Sequence, residues 1–317
     1  MTAPLVIASQ MEADFNAGLA AHPLAPRVIA VPEDEPWEAA READILLVRP
    51  SPAWRGHQHR ARPAAWPGRL RWVYSASAGI DFYPPWLLDA PLVTCGRGVA
   101  SDEIADYVIA AIYAHAKNLD AVTVHARADW RPAMLGRVGG STIGIVGLGA
   151  IGGAVARRAI ALGARVVAVR RGSGPAEVAG VALLDSVESV VAESDHIVIA
   201  VPATLATRGL FDARMFARAK PGAHLINVAR GSVIDQEALV AALDSGRLDF
   251  ATLDVTEPEP LPDGHALYTH PRVRLTPHVS SNYLLVRHRL SEKVADDLDR
   301  FARGEAPSDI VDPVRGY

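Results

Sequence analysis

A single cysteine, Cys95, in 317 residues rules out an internal disulfide and a cysteine-based zinc site. No basic partner for a reactive thiol is evident, so it reads as a small packed residue. The chain also lacks any apolar run of roughly 18 to 20 residues, the length needed to span a bilayer, so no membrane partner is expected. A basic excess is missing as well: 32 Lys and Arg stand against 36 Asp and Glu, for a net charge of −4. Phosphate-backbone binding needs a basic stripe or surplus, so no nucleic-acid partner is expected. Met1 to Gln10 has no basic region followed by a long apolar core, and the expected address is the cytoplasm. Internal repeats and low-complexity tracts are absent too.

What is present is a hydrophobic half and a charged fifth, enough for a sizeable core, in a length that suits two domains. Short apolar runs at Leu5–Ala8, Arg27–Val31, Ile45–Val48 and Trp72–Tyr74 read as buried parallel strands bounded by turn formers. The Pro-, Arg- and His-rich piece from Pro50 to Pro67 reads as a short helix with loops. Ser101 stands as an N-cap before Asp102 and Glu103, and Ile104, Val108, Ile109 and Ile112 follow at helical spacing. This predicts a helix over Asp102 to Asn118. A second series follows: strands at Thr142–Val146, Arg165–Val169, Ile197–Val201, His224–Val228, Ala251–Val255 and Val273–Thr276, with helices at Ala150–Leu162 and Val187–Glu193. Such alternation predicts right-handed βαβ units and doubly wound sheets. The amphipathic stretch Tyr283 to Arg303 is expected to pack back on the first domain. The second domain, roughly Ser101 to Asn282, then interrupts the first.

The strand Thr142–Val146 runs into Gly147-Leu148-Gly149-Ala150-Ile151-Gly152. A G-x-G-x-x-G pattern alone is weak, but a strand before it and a helix after it make it a dinucleotide fingerprint. Gly147 permits the tight turn, Gly149 a close backbone approach to a pyrophosphate, and Gly152 close helix packing. The N–H groups of Ala150 and Ile151 then meet phosphates at the positive helix end. Where an NAD enzyme carries an acid for the ribose 2′-hydroxyl, the strand Arg165–Val169 ends in Arg170-Arg171-Gly172-Ser173. Two guanidinium groups and a hydroxyl suit a 2′-phosphate, so NADP(H) is the expected cofactor, with NAD(H) the alternative.

Three later strands end in polar residues, where open α/β sheets bind ligands: Asn227-Val228-Ala229-Arg230-Gly231, Asp254-Val255-Thr256-Glu257-Pro258-Glu259-Pro260 and Thr276-Pro277-His278. Reduction of a 2-keto acid needs a fixed cation for the carboxylate, a proton donor for the carbonyl oxygen, and a group tuning that donor. The planar fork of Arg230 matches a carboxylate. An imidazole, as at His278, titrates near neutrality, and a carboxylate from the Glu-containing loop favours its charged form.

With Ser75-Ala76-Ser77-Ala78-Gly79-Ile80-Asp81, Val201-Pro202 to Thr207-Arg208-Gly209-Leu210, Lys220-Pro221-Gly222 and Val311-Asp312-Pro313-Val314-Arg315-Gly316-Tyr317, these segments resemble the D-isomer-specific 2-hydroxyacid dehydrogenase family over nearly the whole chain. The resemblance implies an α/β protein of two doubly wound parallel-sheet domains. A Rossmann dinucleotide-binding domain (101–282) is inserted into a flavodoxin-like substrate domain (1–100 and 283–317). It implies that Arg230 holds the substrate carboxylate, that His278 donates the proton, and that Glu259 orients and charges it. Glu259 is preferred to Glu257 because the family's acid lies five residues beyond the strand-end Asp, here Asp254. Asp254 would meet the nicotinamide carboxamide, and Ala78 and Gly79 would offer backbone N–H groups to the substrate carboxylate. Ser101 and Thr207 would stand near the nicotinamide and the pyrophosphate, and Val201, Pro202, Val228, Ala229 and Ser280 would complete the cofactor cleft.

A homodimer through the cofactor domain is implied, with a small 2-keto or 2-hydroxy acid of the glyoxylate or hydroxypyruvate kind as substrate, and no metal. Arg49, Tyr74, Trp130 and Tyr283 are candidates for shaping the pocket. The alternative is a dimeric NAD(H)-sensing corepressor of the same fold. A formate or phosphite dehydrogenase of the wider family ranks lower, because formate enzymes typically carry Gln where this chain has Glu259.

Overall fold

The computed structural model describes residues 4–172, 174–312 and 315–317. They form two compact units, one of the described residues within 4–99 and 283–317 and one of those within 100–282. Ser173, Pro313 and Val314 lie outside the described residues.

The first unit is built from β1 (Val6–Ser9), α1 (Ala13–Ala20), β2 (Arg27–Ala30), α2 (Pro36–Ala39), β3 (Ile45–Val48), α3 (Pro52–Gly56), β4 (Trp72–Ser75) and β5 (Val93–Cys95). Its five parallel strands run β2-β1-β3-β4-β5, the flavodoxin-like order. The C-terminal helix, Tyr283–Ala302, buries Val286, Leu290, Val294 and Leu298 within the same unit. These residues recur at four-residue spacing, so one apolar stripe faces the core. Although aromatics are only 6% of the chain, five of its six tryptophans are buried here: Trp37, Trp54, Trp66, Trp72 and Trp86. Trp86 meets Trp37 and Trp66 edge-on at 5.1 and 5.0 Å, so a few large rings fill what many aliphatics would otherwise fill. Cys95 is fully buried and its burial pushes the thiol pKa up, which fits a packed residue.

The second unit opens with α4 (Ser101–Lys117). It continues through β6 (Thr142–Val146), α5 (Ala150–Ala161), β7 (Arg165–Val169), β8 (Val181–Leu183), α6 (Val187–Glu193), β9 (His196–Ile199), α7 (Ala213–Arg218) and β10 (Ala223–Asn227). It ends with α8 (Gln236–Asp244), β11 (Leu248–Leu253) and β12 (Val273–Leu275), and the C-terminal helix of the first unit is then α9. Its seven strands run β12-β11-β10-β9-β6-β7-β8. That is the Rossmann arrangement, with the strand order reversing between β6 and β9. Successive residues feed opposite faces: Ile197, Ile199 and Leu225 enter one core cluster, Val198, Ile226 and Ile145 the other. Burial on both faces explains why these strands are unbroken apolar runs.

Ser101 is the first residue of α4 rather than its cap. The N-cap is Ala100, which has no side chain to accept a hydrogen bond, and the helix therefore starts one residue earlier than expected. The helix end is instead favoured by Asp102 and Glu103 in the first turn. Asp102 and Asp106 hold Arg158 of α5 at 3.0 and 2.7 Å.

Candidate active site

The strand order places the β6–α5 turn beside the end of β9, at the reversal point of the second unit's sheet. Gly147 takes φ 103°, and a Cβ there would stand 2.6 Å from the Ala200 carbonyl oxygen, so only glycine makes this turn. At Gly152 a Cβ would lie 2.2 Å from the Gly147 carbonyl oxygen, so the helix and the turn touch backbone to backbone. Gly149 differs: nothing lies within 4 Å of the place its side chain would occupy. The protein's own packing makes no demand there. The open space lies over the first turn of α5, whose N-cap, Gly149, brings no side-chain acceptor to the N–H groups at that end. Those donors and that space fit a phosphate.

At the end of β7, Arg170 donates through Nη2 to the carbonyls of Gly174 and Pro175, at 3.2 and 2.8 Å. It thereby curls the loop at the strand end. Arg171 is exposed beside it. After β9, Thr207 donates to the Pro202 carbonyl at 2.7 Å and accepts from the Thr204 N–H at 2.9 Å, bracing the loop of residues 202–207.

Arg230, Glu259 and His278 follow the C-terminal ends of β10, β11 and β12, three strands adjacent in the sheet. His278 Nδ1 lies 3.1 Å from Glu259 Oε2, and the other Glu259 oxygen accepts the Thr256 N–H at 3.1 Å. Assigning the ring proton from this pairing puts N–H at Nδ1 and leaves Nε2 for a substrate. Of the two glutamates in the loop, Glu259 meets His278 while Glu257 meets Arg208 at 3.5 Å. His278 also takes φ 55°, a left-handed backbone that few non-glycine residues adopt and that costs about 1–3 kcal/mol.

Asp254 holds that conformation. Its carbonyl accepts the His278 N–H at 2.8 Å, and its carboxylate accepts the N–H groups of Val279 and Ser280, each at 2.8 Å. Thr276 Oγ1 donates to the same carboxylate at 2.6 Å and also meets Tyr107 Oη at 2.7 Å. Asp254 is 1% exposed, and a buried carboxylate with three donors is a rigid bracket for the loop. Arg230 has an analogous support. Asn227 Nδ2 donates to its carbonyl at 2.9 Å, Asn227 Oδ1 accepts from Ala229 N–H, and Arg230 Nη1 donates to the Ala229 carbonyl at 2.8 Å.

Gly231 joins the two loops. A Cβ there would fall 1.9 Å from the Thr256 carbonyl carbon, so any side chain would force the Arg230 loop away from the one bearing Glu259. Gln236 adds a second tie, donating to the Glu257 carbonyl at 2.6 Å and accepting from its N–H at 3.1 Å. Asn227, Thr276 and Gln236 escaped the sequence reading. Asn227 and Thr276 carry a signal, polar residues at the ends of apolar strands, whereas Gln236 carries none.

In the first unit, Ala78 and Gly79 lie on the loop after β4, where Ser77 Oγ donates to the Gly79 carbonyl at 2.7 Å. Tyr74 cannot line a pocket: β4 points it into the core, where it is fully buried. Arg49 pairs with Glu12 and Glu33, and Tyr283 donates to Glu12 at 2.6 Å, so these two belong to one polar cluster. Trp130 is 82% exposed.

Residues 109–280 match the profile of the D-isomer specific 2-hydroxyacid dehydrogenase NAD binding domain. The chain is 31% identical over 290 residues to glyoxylate/hydroxypyruvate reductase A of Serratia proteamaculans, spanning 87% of this chain and 88% of that protein. In structure it is similar to a D-isomer specific 2-hydroxyacid dehydrogenase from Xanthobacter autotrophicus, solved with NADPH and MES. That likeness has a TM-score of 0.80 at 28% identity and covers 99% of this chain and 100% of that one. It also matches the NADPH-dependent glyoxylate/hydroxypyruvate reductase of Sinorhizobium meliloti, solved with NADP and sulfate, with a TM-score of 0.78 at 25% identity over all of both chains. With a profile match over more than half its length and a relative matched nearly end to end, the chain belongs to the D-isomer specific 2-hydroxyacid dehydrogenase family.

Proposed function

We propose that this dehydrogenase reduces a small 2-keto acid of the glyoxylate or hydroxypyruvate kind to the D-2-hydroxy acid, using NADPH in preference to NADH. The observation that carries the proposal is the His278–Glu259 pair at 3.1 Å, set beside the strand that delivers Arg230. Arg230 binds the carboxylate and polarises the carbonyl, with Ala78 and Gly79 assigned to the same carboxylate through their N–H groups. His278 gives the carbonyl oxygen a proton from Nε2, while Glu259 on Nδ1 holds the ring in place. NADPH, when bound, supplies the hydride. Gly147, Gly149, Gly152, Ala150 and Ile151 hold its pyrophosphate, and Arg170 and Arg171 its 2′-phosphate. Val201, Pro202, Thr207, Val228, Ala229, Ser101, Ser280 and Asp254 complete its cleft. Ser173 belongs to the same assignment but lies outside the described residues.

The test is a panel of glyoxylate, hydroxypyruvate, pyruvate, phenylpyruvate and 2-ketogluconate, each with both cofactors, followed by nicotinamide absorbance. Glyoxylate or hydroxypyruvate with NADPH should give the highest kcat/KM. Arg170→Asp should move the preference toward NADH by at least ~10-fold, the equivalent of one charge-assisted contact. A parent enzyme that prefers NADH would overturn the reading of the arginines. Cofactor binding with no turnover on any keto acid would favour the sensing protein.

A homodimer through the second unit belongs to the same proposal. After α4, Leu119, Val124, Trp130, Met134 and Leu135 expose large apolar side chains within one stretch, Met134 fully. Sedimentation at micromolar concentration should report twice the chain mass; the mass of a single chain would remove the dimer from the proposal.

A further inference from the structure

At the end of the second unit's sheet opposite to Arg230, Glu259 and His278, three histidines come together that are far apart in sequence. His196 opens β9, His224 is the second residue of β10, and the parallel register sets them side by side. His115 comes from the last turn of α4. One ring nitrogen from each lies within 4.8 Å of the others. His196 Nδ1 and His224 Nδ1 are 3.3 Å apart, close to the roughly 3.3–3.4 Å between neighbouring nitrogens of a tetrahedral zinc site with Zn–N near 2.0–2.1 Å.

The outer nitrogens are oriented by partners. His115 Nε2 meets Asp249 Oδ2 at 2.9 Å, and His224 Nε2 meets the buried Thr252 Oγ1 at 2.9 Å. A carboxylate on Nε2 fixes the proton there and leaves Nδ1 as a lone pair, the arrangement that prepares a histidine for a metal. His115 Nδ1 is indeed buried and has no hydrogen-bond partner among the described residues. An orphaned buried nitrogen on one ring of such a cluster has a physical reason if an ion completes the set.

A cavity of about 440 Å³, lined by His115, His196, Arg137, Ser141 and Gly222 among others, borders the cluster. It supplies an entry path and room for a water as fourth ligand.

We propose that His115, His196 and His224 form a zinc(II) site that ties the C-terminal end of α4 to the base of the sheet. No cysteine is needed, since imidazole alone suits zinc. The sequence gives no hint of the site, because its histidines stand 81 and 28 residues apart and follow no ligand spacing. Ligation in the plane of both rings requires His115, stacked on His224 at 4.4 Å and 23°, to turn about its side-chain bonds.

The test uses full-length protein without a histidine tag, stripped with chelator, and titrated with Zn(II) by calorimetry and with Co(II) by visible absorption. One equivalent per chain should bind, with the Co(II) spectrum of a tetrahedral or five-coordinate site. His115→Ala, on a helix end and partly exposed, and His224→Gln should each weaken binding at least ~30-fold. His278→Ala should leave it unchanged. In the parent, excess Zn(II) should raise Tm by roughly 5–10 °C at about 100 times Kd. No binding at about 100 µM, unchanged binding in His115→Ala, or loss of binding in His278→Ala would each overturn the proposal.

Discussion

Replacing His278 with alanine is expected to lower kcat on the best keto acid by ~10²–10⁴-fold, the range for removal of a positioned general acid. Hydride arrival at the keto carbon leaves negative charge on oxygen, and without a proton donor that charge must be met by water. The loss should fall on kcat more than on KM, because the proton moves only in the transition state. NADPH affinity, read by cofactor fluorescence, should change by less than about threefold, since His278 is not among the groups assigned to the cofactor and its ring is held by Glu259. The left-handed backbone at His278 sharpens the expectation. The fold bears a strained residue there, and alanine, which tolerates that conformation no better, would keep the strain while losing the ring. A variant with parental turnover would remove His278 from the chemistry.

The parts of the fold that were legible in advance share one physical property. Ile45–Val48 and Thr142–Val146 form strands over the very residues that the apolar runs mark, because every residue in them is buried, and Arg165–Val169 does the same with its three middle residues buried. Elements with weaker signals were missed. β5 has three residues, two of them Thr and Cys, and β8 is a half-exposed edge strand. α1 has no side-chain cap. Helices α7 and α8 did carry a signal: Asp212 and Asp235 cap them by accepting the Met215 and Ala238 N–H groups.

In the candidate site, strand-end placement singled out Arg230 and His278, which follow the ends of β10 and β12. The bracket around His278 was not legible, since three of its four hydrogen bonds are donated by backbone N–H groups, which every residue has. The histidine cluster was hidden for a related reason: it depends on the register of β9 against β10, and register has no one-letter code.

Arg230→Ala should lower kcat/KM by ~10²–10³-fold, by analogy with loss of one preorganised oxyanion donor. The effect should appear in both KM and kcat. In the proposed role the guanidinium binds the carboxylate in the ground state and meets growing charge on the carbonyl oxygen in the transition state. Its direction is set before substrate arrives: Asn227 grips the Arg230 carbonyl at 2.9 Å, and Gly231 presses the following backbone against Thr256. Lysine at this position restores charge without the two-pronged fork, so Arg230→Lys should recover only part of the loss. Because Arg230 is half-buried and its Nη1 donates to Ala229, a melting curve must show that the variant keeps the parental Tm within a few degrees. A substrate lacking the carboxylate separates recognition from packing. On a simple aldehyde, parent and Arg230→Ala should differ only by the share of the effect that acts on the carbonyl oxygen. The larger share, the carboxylate clamp, should vanish from the comparison. If the two substrates lose activity equally, Arg230 does not read the carboxylate, and the assignment to 2-keto acids loses its cation.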